Sequence, residues 1–185
     1  MTDLPRGTVT FLYHRHRGQY RALDNQGRVA HGHGEFERAA PLFEQALLLW
    51  QELGNTRNAA DSLHSLGLVV QERGEGSQGL ALLEQALALS QEAGDMLGIA
   101  RSLEGIAGMA LVSKQERAAP LLVAAAALRE ALGAPVPARE REDHDRAAAA
   151  LRTALGETAF AGAWTARGAL SPEQAVAETL TLPNE

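Results

Sequence analysis

The stretch LFEQALLLWQELGN at residues 42–55 returns as LLEQALALSQEAGD at 82–95, a shift of 40. ERAAPLF at 37–43 returns as ERAAPLL at 116–122, a shift of 79, so the third copy is one residue shorter. This recurrence constrains the fold more than any other feature of the chain. A unit of this length cannot bury its apolar face alone, so copies must stack on one another. Apolar residues then recur at helical spacing within each copy. In the second, Ala60, Leu63, Leu66, Gly67 and Val70 lie on one helix face, and Leu80, Leu83, Ala86, Leu87 and Leu89 on another. Gly74 separates the two runs and Gly94-Asp95 stops the second, which predicts two helices around a tight turn. Gly27, Gly34 and Gly54-Asn55 stand at the matching places of the first copy. The third has Ala107 inside its first helix and Ser113-Lys114 at its turn.

Small residues recur inside these helices. One slot holds Gly27, Gly67 and Ala107; a second Ala39, Gly79 and Ala118; a third Ala46, Ala86 and Ala125. Glycine within a helix costs about 1 kcal/mol of propensity, and its use there predicts that two helix backbones touch. Only 4% of residues are aromatic, so the core must be built from such close approaches. The three copies are expected over about 20–56, 57–95 and 96–133.

The two ends read differently. Thr8-Val9-Thr10-Phe11-Leu12-Tyr13 alternates and is rich in β-branched and aromatic residues, which predicts a strand. At the other end, Pro135 and Pro137 interrupt the pattern before a segment of three further helices over 134–185. These are expected over Asp143 to Leu155, over Glu157 to Ala166 with Phe160 and Trp164 one turn apart, and from a Ser171-Pro172-Glu173-Gln174 capping box to about Leu180. Nine helices result.

Charge and cysteine usage narrow the function classes. Net charge is −6, yet residues 1–33 carry Arg6, Arg15, Arg17, Arg21 and Arg28 against Asp3 and Asp24 only. The remainder is therefore acidic, which argues against nucleic acid as a partner. The absence of cysteine removes disulfides, thiolate metal sites and thiol nucleophiles, and fits a reducing compartment. No apolar run approaches the roughly 18–20 residues of a membrane span, and the first twenty residues lack the pattern of a signal peptide. A cytoplasmic protein is expected.

Catalytic constellations are not apparent. His14-x-His16 and His31-x-His33 share a face only if extended, and no carboxylate or cysteine completes a metal set. Glu44 and Glu84 recur because the repeat does, as a solvated face. The cluster Glu140 to Asp145 opens a helix, where acids are favoured by the helix dipole. The serines Ser62, Ser65, Ser77, Ser102 and Ser113 have no patterned His and Asp companions. No catalytic residue, metal or cofactor is expected, and the chain reads as a non-enzyme.

The small-residue slots resemble the tetratricopeptide repeat, with departures: Leu23, Leu63 and Leu103 replace a large aromatic, the terminal proline is absent, and the period exceeds 34. A HEAT-like helix pair shares the period but accounts less well for the slots. AAPLLVAAAALREALGAPVPARERE and RTALGETAFAGAWTARGALSPEQAVAETL are similar to the C-terminal region of actinobacterial-type signalling proteins. Those chains join a class III nucleotide cyclase or LuxR-type output domain to a STAND ATPase and a repeat array. LPRGTVTFL at 4–12 resembles the first strand of the cyclase domain, so residues 1–19 read as a cyclase-like remnant. The family's metal-binding aspartate would fall at Arg15, and arginine cannot ligate magnesium. No phosphate-binding loop is present either.

The resemblance implies an all-α, right-handed α-α superhelix of three elongated hairpins with a three-helix C-terminal cap. It implies a protein-binding module of bacterial signal transduction or transcriptional regulation. Carried over, the groove positions are Arg21, Asp24, Arg28 and His31; Asp61, His64, Leu68 and Gln71; and Arg101, Glu104, Gly108 and Leu111. This set passes from basic and polar to apolar, suiting a protein or peptide with an acidic and a hydrophobic end. The alternatives are a homo-oligomer formed through the N-terminal hairpin and a degenerate cyclase-related enzyme. Neither nucleic acid nor a membrane is an expected partner.

Overall fold

The computed structural model describes residues 6–112 and 118–137, with side chains from Gly18 onward except Gln19 and Val112, together with scattered positions after 140. Among the described residues the structure is all-helical, with α1 (Arg6–Gly32), α2 (Phe36–Glu52), α3 (Thr56–Glu72), α4 (Gly76–Glu92), α5 (Met96–Val112) and α6 (Ala118–Ala131). These form two compact units, Met1–Gly94 and Asp95–Glu185. The first contains the α1–α2 and α3–α4 hairpins, and the second the α5–α6 hairpin.

Helices α2 to α5 are each 17 residues long. What sets that length is the turn. Gly34, Gly54, Gly74 and Gly94 all have positive φ, from 63° to 85°. At Gly54 the N–H donates to the Gln51 carbonyl and the Asn55 N–H donates to the Trp50 carbonyl, closing a Schellman motif. Asn55 then caps α3, its side-chain oxygen accepting from the Asn58 N–H at 3.1 Å. One residue thus ends one helix and starts the next, and the three-residue corner forces consecutive helices antiparallel.

The expected small-residue slots are the places of closest approach. A Cβ on Gly79 would lie 2.8 Å from the Gly67 carbonyl oxygen, and one on Gly67 would lie 3.1 Å from the Gly79 carbonyl oxygen. α3 and α4 therefore touch backbone to backbone. In the first hairpin Ala39 occupies the second slot, and the gap beside Gly27 is filled by the Phe43 ring, which a Gly27 Cβ would meet at 2.8 Å. Phe43 anchors a cluster with Ala30, Ala39, Ala40, Leu66, Val69 and Val70. A second cluster joins Tyr20, Ala46, Trp50 and Ala59, with the Tyr20 and Trp50 rings edge to face at 5.3 Å. In the second unit Ala107, Ala118 and Ala125 are all buried, as are Leu103 and Leu128.

The N-terminal expectation is corrected. Residues 8–13 are helix, not strand, and lie within an α1 that runs unbroken from Arg6 through residues 19 and 20. β-branched residues lose only up to about 0.7 kcal/mol each in a helix, whereas extending an existing helix adds a hydrogen bond per residue. The resemblance to a cyclase strand consequently has no structural counterpart here. In the C-terminal segment the described positions 144–145, 148–149 and 152–153 are helical, Gly156 has φ 78°, and 157–158, 161–162 and 165 are helical again. Ser113-Lys114, Phe160, Trp164, Ser171 to Glu173 and the segment up to Leu180 apart from Gln174 lie outside the described residues.

Candidate functional site

A cleft of about 250 Å³ opens in the first unit, lined by Arg21, Asp24, Asn25 and Arg28 from α1, Trp50 from α2, and Asn58 and Asp61 from α3. Its walls follow from helix spacing. Residues 21, 25 and 28 are one turn apart along one face of α1, and 58 and 61 are one turn apart on α3. Arg21 and Asn25 are exposed, while Arg28, Asn58 and Asp61 are half-buried. The Nε of Arg28 is buried and has no hydrogen-bond partner among the described residues.

Asp24 forms the floor. Its side chain is only 6% exposed. The Trp50 indole N–H donates to Oδ2 at 2.8 Å, and the Ser62 hydroxyl donates to Oδ1 at 2.9 Å. One carboxyl thereby ties α1 to α2 within its hairpin and to α3 of the next. Burial raises its pKa above the ordinary carboxylate value, against the opposing pull of the Trp50 and Ser62 hydrogen bonds and the nearby Arg28 charge; Asp61 adds to the rise. The resemblance offered Asp24 as a contact for a partner. It lies at the floor of the cleft, buried and held by these two hydrogen bonds.

The same lattice position is polar in every copy. Asp24 corresponds by repeat to His64 and Glu104, Trp50 to Ser90 and Arg129, and Ser62 to Ser102. Among the described residues the buried polar side chains are Asp24, Ser62, His64, Ser65, Ser90, Ser102 and Arg129, and all but Ser65 fall on these positions. In the second unit Arg129, 5% exposed, donates to Glu104 through Nε at 2.6 Å and Nη2 at 2.7 Å, a bidentate pair. Sequence reasoning missed this node, although a polar residue at a core-facing position in three successive copies was a visible sign of it.

The remaining groove positions divide by unit. In the first, His31 is half-buried with its ring tilted on Phe36 at 5.8 Å, His64 is buried, and Leu68 and Gln71 are half-buried. The cleft brings Arg21, Asp24, Arg28 and Asp61 together, whereas His31, His64, Leu68 and Gln71 do not line it. In the second, Arg101, Gly108 and Leu111 are half-buried, and Glu104 is engaged by Arg129. Asn25, Trp50 and Asn58 line the cleft without having been singled out. A separate, largely apolar depression of about 420 Å³ lies in the second unit beside Ala126, Gly133, Pro135 and Val136. Of the paired histidines, His33 is exposed and 3.9 Å from the Glu35 carboxylate. His14 and His16 lie on helical backbone, not on the strand that a shared face would need. Among the described residues no helix is long and apolar enough to cross a membrane.

Residues 18–92 match the family model of the tetratricopeptide repeat. No curated protein matches the chain. The matched stretch covers the two hairpins whose glycine contacts and recurring corners were described above. The match supports a tetratricopeptide-repeat region over residues 18–92, and such repeats are in general modules of protein interaction.

Proposed function

We propose that the chain is a non-catalytic docking module of bacterial signal transduction or transcriptional regulation, acting in the cytoplasm, and that its first unit receives a protein segment along the α1–α3 face. The observation that carries this reading is the cleft between Arg21, Asn25 and Arg28 on one side and Asn58 and Asp61 on the other. It gathers side chains that can donate or accept hydrogen bonds, with the Asp24 carboxyl joining the three helices that carry them. A segment with an acidic end would meet the two arginines, and a hydrophobic end would suit Leu68 further along α3. In the second unit Arg101 and Leu111 are the corresponding candidates. The signalling context rests on the likeness of the C-terminal sequence to those regulators.

The test is capture from the native cytoplasm with the purified chain, compared with an Arg21→Ala/Arg28→Ala form. Each charge-assisted contact contributes about 1.5–3 kcal/mol, so the variant should retain a tenth of the partner or less. Equal capture by both forms would remove the cleft from the interface.

A second reading, self-association, is favoured by one observation. α1 has 27 residues where its neighbours have 17, so it extends about ten residues, roughly 15 Å, past the length α2 can cover. Light scattering on the full chain and on a form lacking residues 1–18 decides it: a dimer that becomes a monomer supports pairing through this extension, and equal masses refute it.

A further inference from the structure

The charges around the α1–α3 cleft do not match an anionic ligand as they stand. Arg21 and Arg28 of α1 face Asp24 of the same helix and Asp61 of α3, while α2 contributes only the uncharged Trp50. With both aspartates ionised the cleft is neutral. With a proton on Asp24 it carries one positive charge. Asp24 is the natural acceptor of that proton because it is the buried carboxylate of the two, and burial already favours its neutral form. Arg28 is the charge that opposes protonation. Its Nε is buried with no hydrogen-bond partner among the described residues, a donor left for an entering acceptor to satisfy.

We propose that an acidic side chain entering this cleft does so together with a proton, which is taken from solvent and resides on the Asp24 carboxyl. The inference rests on the docking function proposed above and adds its regulation. When a ligand carboxylate engages Arg28, it brings a negative charge close to Asp24 and withdraws the cation that steadied the ionised form. Both changes raise the affinity of Asp24 for a proton, and by linkage the proton raises the affinity for the ligand. Protonation leaves the hydrogen-bond frame in place. One carboxyl oxygen still accepts from the Trp50 indole, and the Ser62 hydroxyl can rotate to accept from the new O–H. The floor of the cleft therefore changes charge without changing shape. Capture of an acidic segment becomes sensitive to acidification through a group that the segment does not touch.

The test uses an acetylated, amidated hexaglutamate peptide as probe, titrated calorimetrically into the full chain in buffers of different ionisation heat. Between about pH 7.5 and 5.5, binding should tighten about threefold to tenfold and take up a fraction of one proton, since one linked proton gives at most tenfold per pH unit. Asp24→Asn, which mimics the neutral carboxyl, should bind at the tighter level throughout and lose that pH slope and proton uptake. Asp61→Asn should tighten binding and keep the slope, which serves if the Asp24 variant fails to fold. Binding that is equally strong at both pH values, or a slope that survives in Asp24→Asn, would overturn the coupling and leave docking intact. Absence of peptide binding at every pH would overturn the coupling together with the acidic-segment reading.

Discussion

Adding one methyl group at Gly79 or at Gly27 gives the same chemical change and the same built distance of closest approach, 2.8 Å, yet the two should respond differently to repair. At Gly79 the obstruction is the Gly67 carbonyl oxygen, with the Gln71 backbone nitrogen next at 3.2 Å. Neither can be trimmed, so α3 and α4 must move apart by roughly half an ångström, forfeiting about a quarter of the dispersion energy of each facing contact. Such overpacking costs about 1–3 kcal/mol, against about 1 kcal/mol returned by the better helix propensity of alanine. The net expectation for Gly79→Ala is a loss of up to about 2 kcal/mol. At Gly27 all three nearest atoms belong to the Phe43 ring. Gly27→Ala should cost about as much in the native background but nothing, or even stabilise, in a Phe43→Ala background. A double-mutant cycle by urea unfolding, with circular dichroism as readout and trimethylamine oxide present to keep the weakest variant folded, measures the coupling. It should exceed about 1 kcal/mol for Gly27 with Phe43 and be near zero for Gly79 with Gln71→Ala. Equal coupling in both cycles, or a stabilising Gly79→Ala, would refute the claim that α3 and α4 meet backbone to backbone.

The other predictions are briefer. Because burial raises the pKa of Asp24, the native state holds its proton more tightly than the unfolded chain. Its contribution to stability is greatest below about pH 3.8 and is lost as pH rises through the raised value, so the Tm advantage of Asp24→Asn over the native chain should grow across that window; a constant difference would refute it. Arg129→Leu alone leaves Glu104 half-buried without its bidentate partner and should cost about 3–5 kcal/mol, while Glu104→Leu/Arg129→Leu together should recover most of it in thermal unfolding. Gly54→Ala should cost about 1–2 kcal/mol for backbone reasons alone, since a Cβ there would meet nothing within 4 Å, and Gly54→Asn should cost less. At Gly108 in α5 a Cβ would meet nothing within 4 Å among the described residues, and Gly108→Ala should stabilise by about 0.4–1 kcal/mol; a loss would show a contact at that face.

Much of the scaffold was legible in the residues because its signals are local. A helix ends where glycine supplies a left-handed corner, and Gly34, Gly54, Gly74 and Gly94 mark those corners at an even spacing that any reading of the chain can see. The slots of Gly27, Gly67 and Gly79 announced close helix pairs because glycine inside a helix is otherwise disfavoured. What the slots did not announce was how each would be filled, by a facing backbone at Gly79, by backbone together with the Leu83 side chain at Gly67, and by an aromatic ring at Gly27. The N-terminal stretch misled for the converse reason. Its alternation is a weak local preference, and an adjoining helix overrides it.

The sequence by itself determined the repeat, the helical periodicity, the corners and the acidic, cysteine-free chemistry, all of which depend on residues within one turn or one copy of each other. Only the tertiary structure decided the role of Asp24. Its hydrogen-bond partners Trp50 and Ser62 lie 26 and 38 residues away, and no periodicity within a helix records which side chains will meet when hairpins stack. The physical reason is that a polar group buried by stacking must find its partners across elements, or bear the cost of desolvation alone.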